Sequence, residues 1–231
     1  MNSEIKVGIV GVGKLGKVLA AKLSTTCSLY VCDLNEEAAQ AISSAFRCNW
    51  DQIDKVAAKC DYLFLALPPT IIHGFCTQYA SCFKSGSTVL NLATSVDSRG
   101  LKDSINRDDL HVLGLKPVCQ STALEQGQRT IFVTSAEQKI LSDELAMLIS
   151  PLGTIQRGHE LTVKEINEAA TRRALELIIN LKSELMEQDV KEDLIEAAVR
   201  SVAVGTLLDY PYQEVNGYIA NLLSKYDLQL K

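Results

Sequence analysis

Long apolar runs are missing from this 231-residue chain. No apolar stretch reaches the ~18 residues that a bilayer-spanning helix needs, so a membrane-spanning protein is not expected. Long basic runs are missing too, and the net charge is −5, which argues against a nucleic-acid partner. There is no Cys-x-x-Cys pair among the seven cysteines, and their number is odd. A disulfide framework or a zinc site is therefore not expected, no metal is assigned, and a reducing cytoplasm is the natural setting. The first apolar run begins at residue 5, so a signal peptide is not expected. Most cysteines fall in apolar segments, where Cys behaves as a small buried hydrophobe. Cys119 is the exception, on a polar segment, but no motif places His111 or His159 beside it as the partner a nucleophile needs.

What is present is a turn of closely spaced glycines. Gly11-Val12-Gly13-Lys14-Leu15-Gly16 follows the apolar run Ile5–Val10, and Asp33 stands at the tip of a second apolar run, Ser28–Cys32. Strand, glycine turn, helix, strand and acid, with the acid about 20 residues on, form the context in which Gly-x-Gly-x-x-Gly holds a dinucleotide. Gly11 permits the sharp turn, Gly13 lets the backbone approach a pyrophosphate, and Gly16 allows close helix–strand contact. Lys14 and Leu15 begin the helix whose free N–H groups and positive dipole end would face the phosphates. Asp33 can accept hydrogen bonds from both adenosine-ribose hydroxyls. It would repel a 2′-phosphate with no Lys or Arg beside it, so NAD is expected, with NADP possible. The bland alternative is a glycine-rich turn that binds no nucleotide.

Strands are expected at 5–10, 28–33, 61–66, 87–92, 110–114, 131–133 and 153–155. Helices are expected at 14–24, 36–46, 52–59, 70–84, 98–106 and 137–149. Near-continuous apolar runs such as Tyr62–Leu67 imply strands buried on both faces. The alternation predicts an α/β fold: a Rossmann-type, doubly wound, mostly parallel sheet of about eight strands ending near Gly158. Beyond it the pattern becomes purely helical. Val163, Ile166, Ala170, Ala174, Leu177, Leu181 and Leu185 recur at helical steps over 161–187, and further helices are expected at 190–208 and 214–225. The expected domains are 1–158, binding dinucleotide, and 159–231, all-helical. Three helices in about 70 residues make a poor independent core, so a homodimer through these C-terminal helices is expected, against the alternative that they fold back on their own chain.

Ligands of open α/β sheets bind outside the carboxyl ends of the strands. Leu67-Pro68-Pro69-Thr70 is a stiff turn at such an end, suited to a cofactor ribose or to a plain strand–helix turn. Asn91-Leu92-Ala93-Thr94-Ser95 is another: Thr94 can contact the nicotinamide end, or Thr94 and Ser95 can cap the next helix. Lys116-Pro117-Val118-Cys119-Gln120-Ser121-Thr122 is the densest polar segment, read as a loop. There Lys116 can orient a substrate carboxylate, and Ser121 or Thr122 can hydrogen-bond a carboxylate or a reacting nitrogen. The alternative is a solvated connector. On the long helix, Lys164 and Asn167 can face the nicotinamide, or the face is solvated with a Glu168–Arg172 ion pair. His73 has no cluster around it.

The segments Lys6–Gly16, Leu65-Ala66-Leu67-Pro68-Pro69 and Val89-Leu90-Asn91-Leu92-Ala93-Thr94, taken in order, resemble the pyrroline-5-carboxylate reductase group of NAD(P)-dependent oxidoreductases. The all-α tail, with Ala203–Leu208 near its end, is similar in character to that group's dimerisation domain. The resemblance implies hydride transfer between a nicotinamide and the imine, hydroxyl or keto carbon of a small carboxylate. The substrate would lie between the 116–122 segment and the partner's helical tail. The other reading is a non-catalytic dinucleotide-binding sensor or assembly protein on the same fold.

Overall fold

The computed structural model describes residues 5–137, 141–209 and 217–226. Two compact units emerge, residues 1–168 and 169–231, and the division falls inside the long helix.

The first unit alternates as the sequence predicts. Its elements begin β1 (Lys6–Val10), α1 (Lys14–Leu23), β2 (Ser28–Cys32), α2 (Glu36–Phe46), β3 (Asn49–Trp50), α3 (Ile53–Lys59) and β4 (Tyr62–Leu65). They continue with α4 (Pro69–Tyr79), β5 (Thr88–Asn91), α5 (Ser98–Ile105) and β6 (His111–Gly114). These six strands form a wholly parallel sheet in the order β3-β2-β1-β4-β5-β6. That is the doubly wound order, in which the chain runs outward from β1 and then returns to β4 on its other side. The switch between β1 and β4 opens a crevice at the carboxyl end of the sheet.

Both faces of the sheet are covered, and strand alternation divides the apolar residues between them. Phe64 and Tyr62 join Val7, Ile9, Leu19 and Leu90 on one face. Leu63 and Leu65 join Val10, Val56, Ile72 and Val89 on the other. Truncating a residue such as Phe64, fully buried, would cost roughly 3–5 kcal/mol.

The expected single sheet of about eight strands is corrected. After β6 come β7 (Lys116–Pro117), α6 (Ser121–Glu125), β8 (Thr130–Thr134), α7 (Asp143–Ile149) and β9 (Gly153–Arg157). β7, β8 and β9 form a separate three-stranded sheet, with β7 antiparallel to β8 and β8 parallel to β9. The 116–122 segment is thus not a loop: its ends are strand and helix, tied in place by Val118 N donating to Ile131 O at 3.0 Å. The short strand β3 was not expected. Of the helix expected over 137–149, α7 starts only at Asp143, where Ser142 caps it by accepting from Leu145 N; residues 138–140 lie outside the described set.

α8 (Thr162–Glu187) begins in the first unit and runs into the second. At 1.5 Å per residue it extends about 39 Å. It ends with Asp189 in the left-handed region, φ 56°, where glycine is the usual residue. The second unit continues with α9 (Glu192–Ala197), a widened π-type stretch (Ala198–Ala203), α10 (Val204–Asp209) and α11 (Gly217–Lys225). The helix expected over 190–208 is thus one continuous helical run over 192–209, widened in its middle. Residues 214–216 of the last expected helix lie outside the described set. Much apolar surface in this unit is exposed, including Leu175, Leu177, Ile179, Met186, Leu194 and Leu207.

Candidate cofactor site

The glycine turn leaves β1 at the switch point. Gly11 has φ +94°, and a Cβ there would lie 2.6 Å from Ala66 O, so both the conformation and the close approach of β4 require glycine. At Gly16 a Cβ would lie 1.9 Å from Gly11 O. At Gly13 a Cβ would meet nothing within 4 Å. Among the described residues nothing in the packing asks for a glycine at that position; the space beside it is open.

Gly13 is the N-cap of α1, its side-chain-less cap makes no capping bond, and no acid sits in the first turn. The first N–H groups of a helix have no intrahelical partner, and they draw an anion together with the helix dipole. Lys14 and Leu15 open this helix, and Leu15 lines the cleft with Gly13.

Asp33 lies one residue past the end of β2. Its Oδ2 accepts from Val12 N at 2.8 Å, and its Oδ1 accepts from Asn35 N at 2.9 Å. The two bonds hold the carboxylate at the rim, where it lines the same cleft as Gly11 and Gly13. Residues 34–37 are Leu, Asn, Glu and Glu, with no cation.

The cleft has a volume of about 790 Å³. Leu67 and Pro68, just past β4, and Leu92 and Ala93, just past β5, line it as well. Pro68 is the N-cap of α4 and Pro69 its first residue, an arrangement that costs no hydrogen bond because those N–H groups would be unpaired anyway. Ile71, Phe75 and Tyr79 of α4 also line the cleft. Sequence reasoning missed these three, although their helical spacing after the proline turn was a usable signal.

Thr94 and Ser95 occupy the middle of a four-residue turn closed by Val96 N donating to Ala93 O at 3.2 Å. They do not cap α5: Asp97 is its N-cap and accepts from Arg99 N at 3.0 Å.

Lys116 is wholly buried, 0% exposed, with Nζ donating to Ala93 O at 2.8 Å and Val96 O at 2.9 Å. Burial pushes its pKa down to about 8, against the opposing fields of Glu160 and Asp97. With no exposed atom, Lys116 has no direct reach to a substrate carboxylate. Ser121 and Thr122 open α6, which lies beside α1 and is joined to it by a Lys17–Glu125 ion pair at 3.5 Å. Asn167, on the first part of α8, donates its Nδ2 to Pro117 O at 3.1 Å. Lys116, Pro117 and Asn167 are therefore brought together, while Ser121 and Thr122 stand on a separate helix.

The expected Glu168–Arg172 pair is replaced by Lys164–Glu168 at 3.7 Å and Arg172–Glu176 at 3.1 Å. His73 Nδ1 is hydrogen-bonded to Ser104 Oγ at 2.9 Å. Burial raises the Cys119 thiol to about 11, which keeps it protonated near neutral pH and removes its nucleophilic form.

One buried carboxylate escaped the sequence reading. Glu160 accepts from Ser98 N at 2.8 Å and Ser98 Oγ at 3.0 Å, and it occupies the space beside Gly114, where a Cβ would meet its Oε2 at 1.2 Å. No local motif marks this partnership, because the two residues are 46 positions apart.

Doubly wound sheet, uncapped helix, glycine turn and rim carboxylate together define a Rossmann-type dinucleotide-binding protein. The family model described as "D-isomer specific 2-hydroxyacid dehydrogenase, NAD binding domain" matches residues 2–122. The chain belongs to that family, and its cofactor is a nicotinamide dinucleotide. The 2-(hydroxymethyl)glutarate dehydrogenase of Eubacterium barkeri is 32% identical over 110 residues, covering 44% of this chain and 36% of that protein. The match thus spans about a third of the curated relative's length. Among solved structures, the pyrroline-5-carboxylate reductase of Coxiella burnetii superposes with a TM-score of 0.73 at 11% identity, over 97% of this chain and 85% of that one. The 3-hydroxyisobutyrate dehydrogenase of Salmonella typhimurium gives 0.69 at 18%, over 98% and 89%. At such identities these likenesses speak to the fold alone.

Proposed function

We propose that this chain is an NAD-dependent oxidoreductase of the pyrroline-5-carboxylate reductase-like kind, acting on a small carboxylate. The observation that carries the reading is the pairing of an uncapped α1 N-terminus with a rim carboxylate at the same cleft. When bound, the nicotinamide supplies or accepts hydride at the imine, hydroxyl or keto carbon of the substrate. The amides at Gly13–Gly16 hold the diphosphate, and Asp33 accepts from the adenosine-ribose hydroxyls. That carboxylate, with Glu36 and Glu37 following it, repels a 2′-phosphate and so selects NAD over NADP.

Leu67, Pro68 and Thr94 stand at the carboxyl ends of β4 and β5, where the rest of the cofactor is expected. Ser121 and Thr122 supply hydroxyls for the substrate carboxylate. Asn167, held beside the 116–117 strand by its bond to Pro117, is the side chain of α8 offered to the substrate. The similarity to a dehydrogenase named for a hydroxymethyl diacid supports a hydroxy acid as one substrate class, and the motif order supports a cyclic imino acid as the other. The second unit, with its exposed apolar helices, supports a homodimer through the C-terminal helices.

A panel of small hydroxy acids with NAD, and of cyclic imines with NADH, followed by nicotinamide absorbance, tests the reading. Turnover of one class is expected. Tight NADH binding without turnover of either would leave a dinucleotide-binding protein and overturn the enzyme reading.

A further inference from the structure

We propose that Lys116 is a positioning residue of the cofactor site: from inside the fold it holds the Ala93–Val96 turn so that Thr94 and Ser95 meet the nicotinamide end of the dinucleotide. This rests on the reading of the cleft as the cofactor site.

Lys116 donates to two carbonyls, and they are the first and last of one four-residue turn. A single cation bonded to both ends fixes the distance between them. Asn91, the last residue of β5, binds the same two residues: its Oδ1 accepts from Ala93 N at 3.0 Å and its Nδ2 donates to Val96 O at 3.0 Å. The turn is therefore clamped twice at its ends. Its centre is left to face outward, with Thr94 half-buried and Ser95 exposed. Among the described residues neither hydroxyl has a protein partner. Ala93 itself lines the cleft beside Leu92.

A buried ammonium is a costly way to fill this space. An apolar side chain of similar volume would pack there without the several kcal/mol of desolvation that a buried ion bears. The fields of Asp97 and Glu160 offset that cost in part. The return is geometric: a turn rigid before the ligand arrives loses less entropy on binding. Glu160 holds the next stretch of the same segment, through Ser98, so residues 91–98 are fixed from end to end.

The test uses two probes, NADH and ADP-ribose, which lacks the nicotinamide, titrated into the full chain and its Lys116→Met variant. The variant keeps a donor on each carbonyl, Val96 N on Ala93 O and Asn91 Nδ2 on Val96 O, so it leaves no buried acceptor orphaned. NADH affinity is expected to fall about tenfold, while ADP-ribose affinity stays within about twofold. Equal losses for both probes, or no loss for NADH, overturn the proposal. If the unaltered protein binds neither probe, the reading of the cleft fails first and this proposal falls with it. Amide exchange on the unaltered protein gives a second, independent reading. NADH is expected to protect residues 94–96 and ADP-ribose to leave them unchanged; equal protection by both overturns the proposal.

Discussion

Val12 N donates to Asp33 Oδ2 at 2.8 Å, so the glycine turn and the acid at the tip of β2 form one rigid unit. A residue in the turn and a residue 21 positions later share a hydrogen bond before any ligand is present. The carboxylate that would select the sugar also steadies the amides that would bind the diphosphate. Removing it affects both.

The glycines separate structural from ligand-facing roles. Gly16→Ala places a Cβ 1.9 Å from Gly11 O, so the backbone must shift, and roughly 1–3 kcal/mol of stability is lost. Gly13→Ala meets open space; its melting temperature is expected to match the parent while its NADH affinity drops. Thermal melting beside ligand titration checks both. A destabilised Gly13→Ala would mean that the glycine serves packing rather than a phosphate.

Gly114→Ala is expected to evict Glu160, because the added Cβ would lie 1.2 Å from Oε2. Two hydrogen bonds to Ser98 are lost, at a cost of roughly 1–3 kcal/mol in chemical denaturation. Combining Gly114→Ala with Glu160→Ala should cost much less than the sum of the single changes, because both act on the same contact. Additive costs would show that the two residues act separately.

Lys116 gives the fold a signature at alkaline pH. Its pKa lies near 8 in the folded chain, below its ordinary 10.5. Between those values the unfolded chain holds the proton that the folded one has released, so stability rises with pH. Below about pH 8 both states are protonated and this contribution is flat. Relative to Lys116→Met, the parent is expected to gain a few kcal/mol, at about 1.4 kcal/mol per pKa unit, as pH rises from 8 towards 10.5. Denaturant unfolding across that window checks it, and a parent–variant difference that does not change with pH would contradict the burial of a titrating amine.

The second unit is expected to self-associate. Ile179 is 61% exposed in the middle of α8, among other exposed apolar residues. If copies join through these helices, Ile179→Glu should convert a particle of twice 25.3 kDa into one of 25.3 kDa by light scattering. A parent protein that is already monomeric at micromolar concentration would refute the expectation.

The doubly wound sheet was legible because its signals are local: apolar runs, the spacing of Gly11, Gly13 and Gly16, and Asp33 at a strand tip. Sequence could not show that Lys116 lies inside the fold. That depends on β7 turning away from β6 to pair with β8, a contact between distant segments. Its seven-residue polar neighbourhood looked like a loop because short strands and helices leave almost no periodicity. Glu160 was invisible for the same reason: its need for Gly114 arises only when the turn before α8 meets the end of β6. Ile71, Phe75 and Tyr79 could have been anticipated, since they recur at four-residue steps after the proline turn.

Calorimetric titration of the purified chain with NADH and with NADPH, repeated on Asp33→Ala, tests the central claim most directly. Saturable NADH binding, tighter than NADPH, is predicted, with roughly 1–3 kcal/mol of NADH affinity lost in the variant. Tighter binding of NADPH by the parent, or an Asp33→Ala chain that binds NADH as well as its parent, would contradict the account.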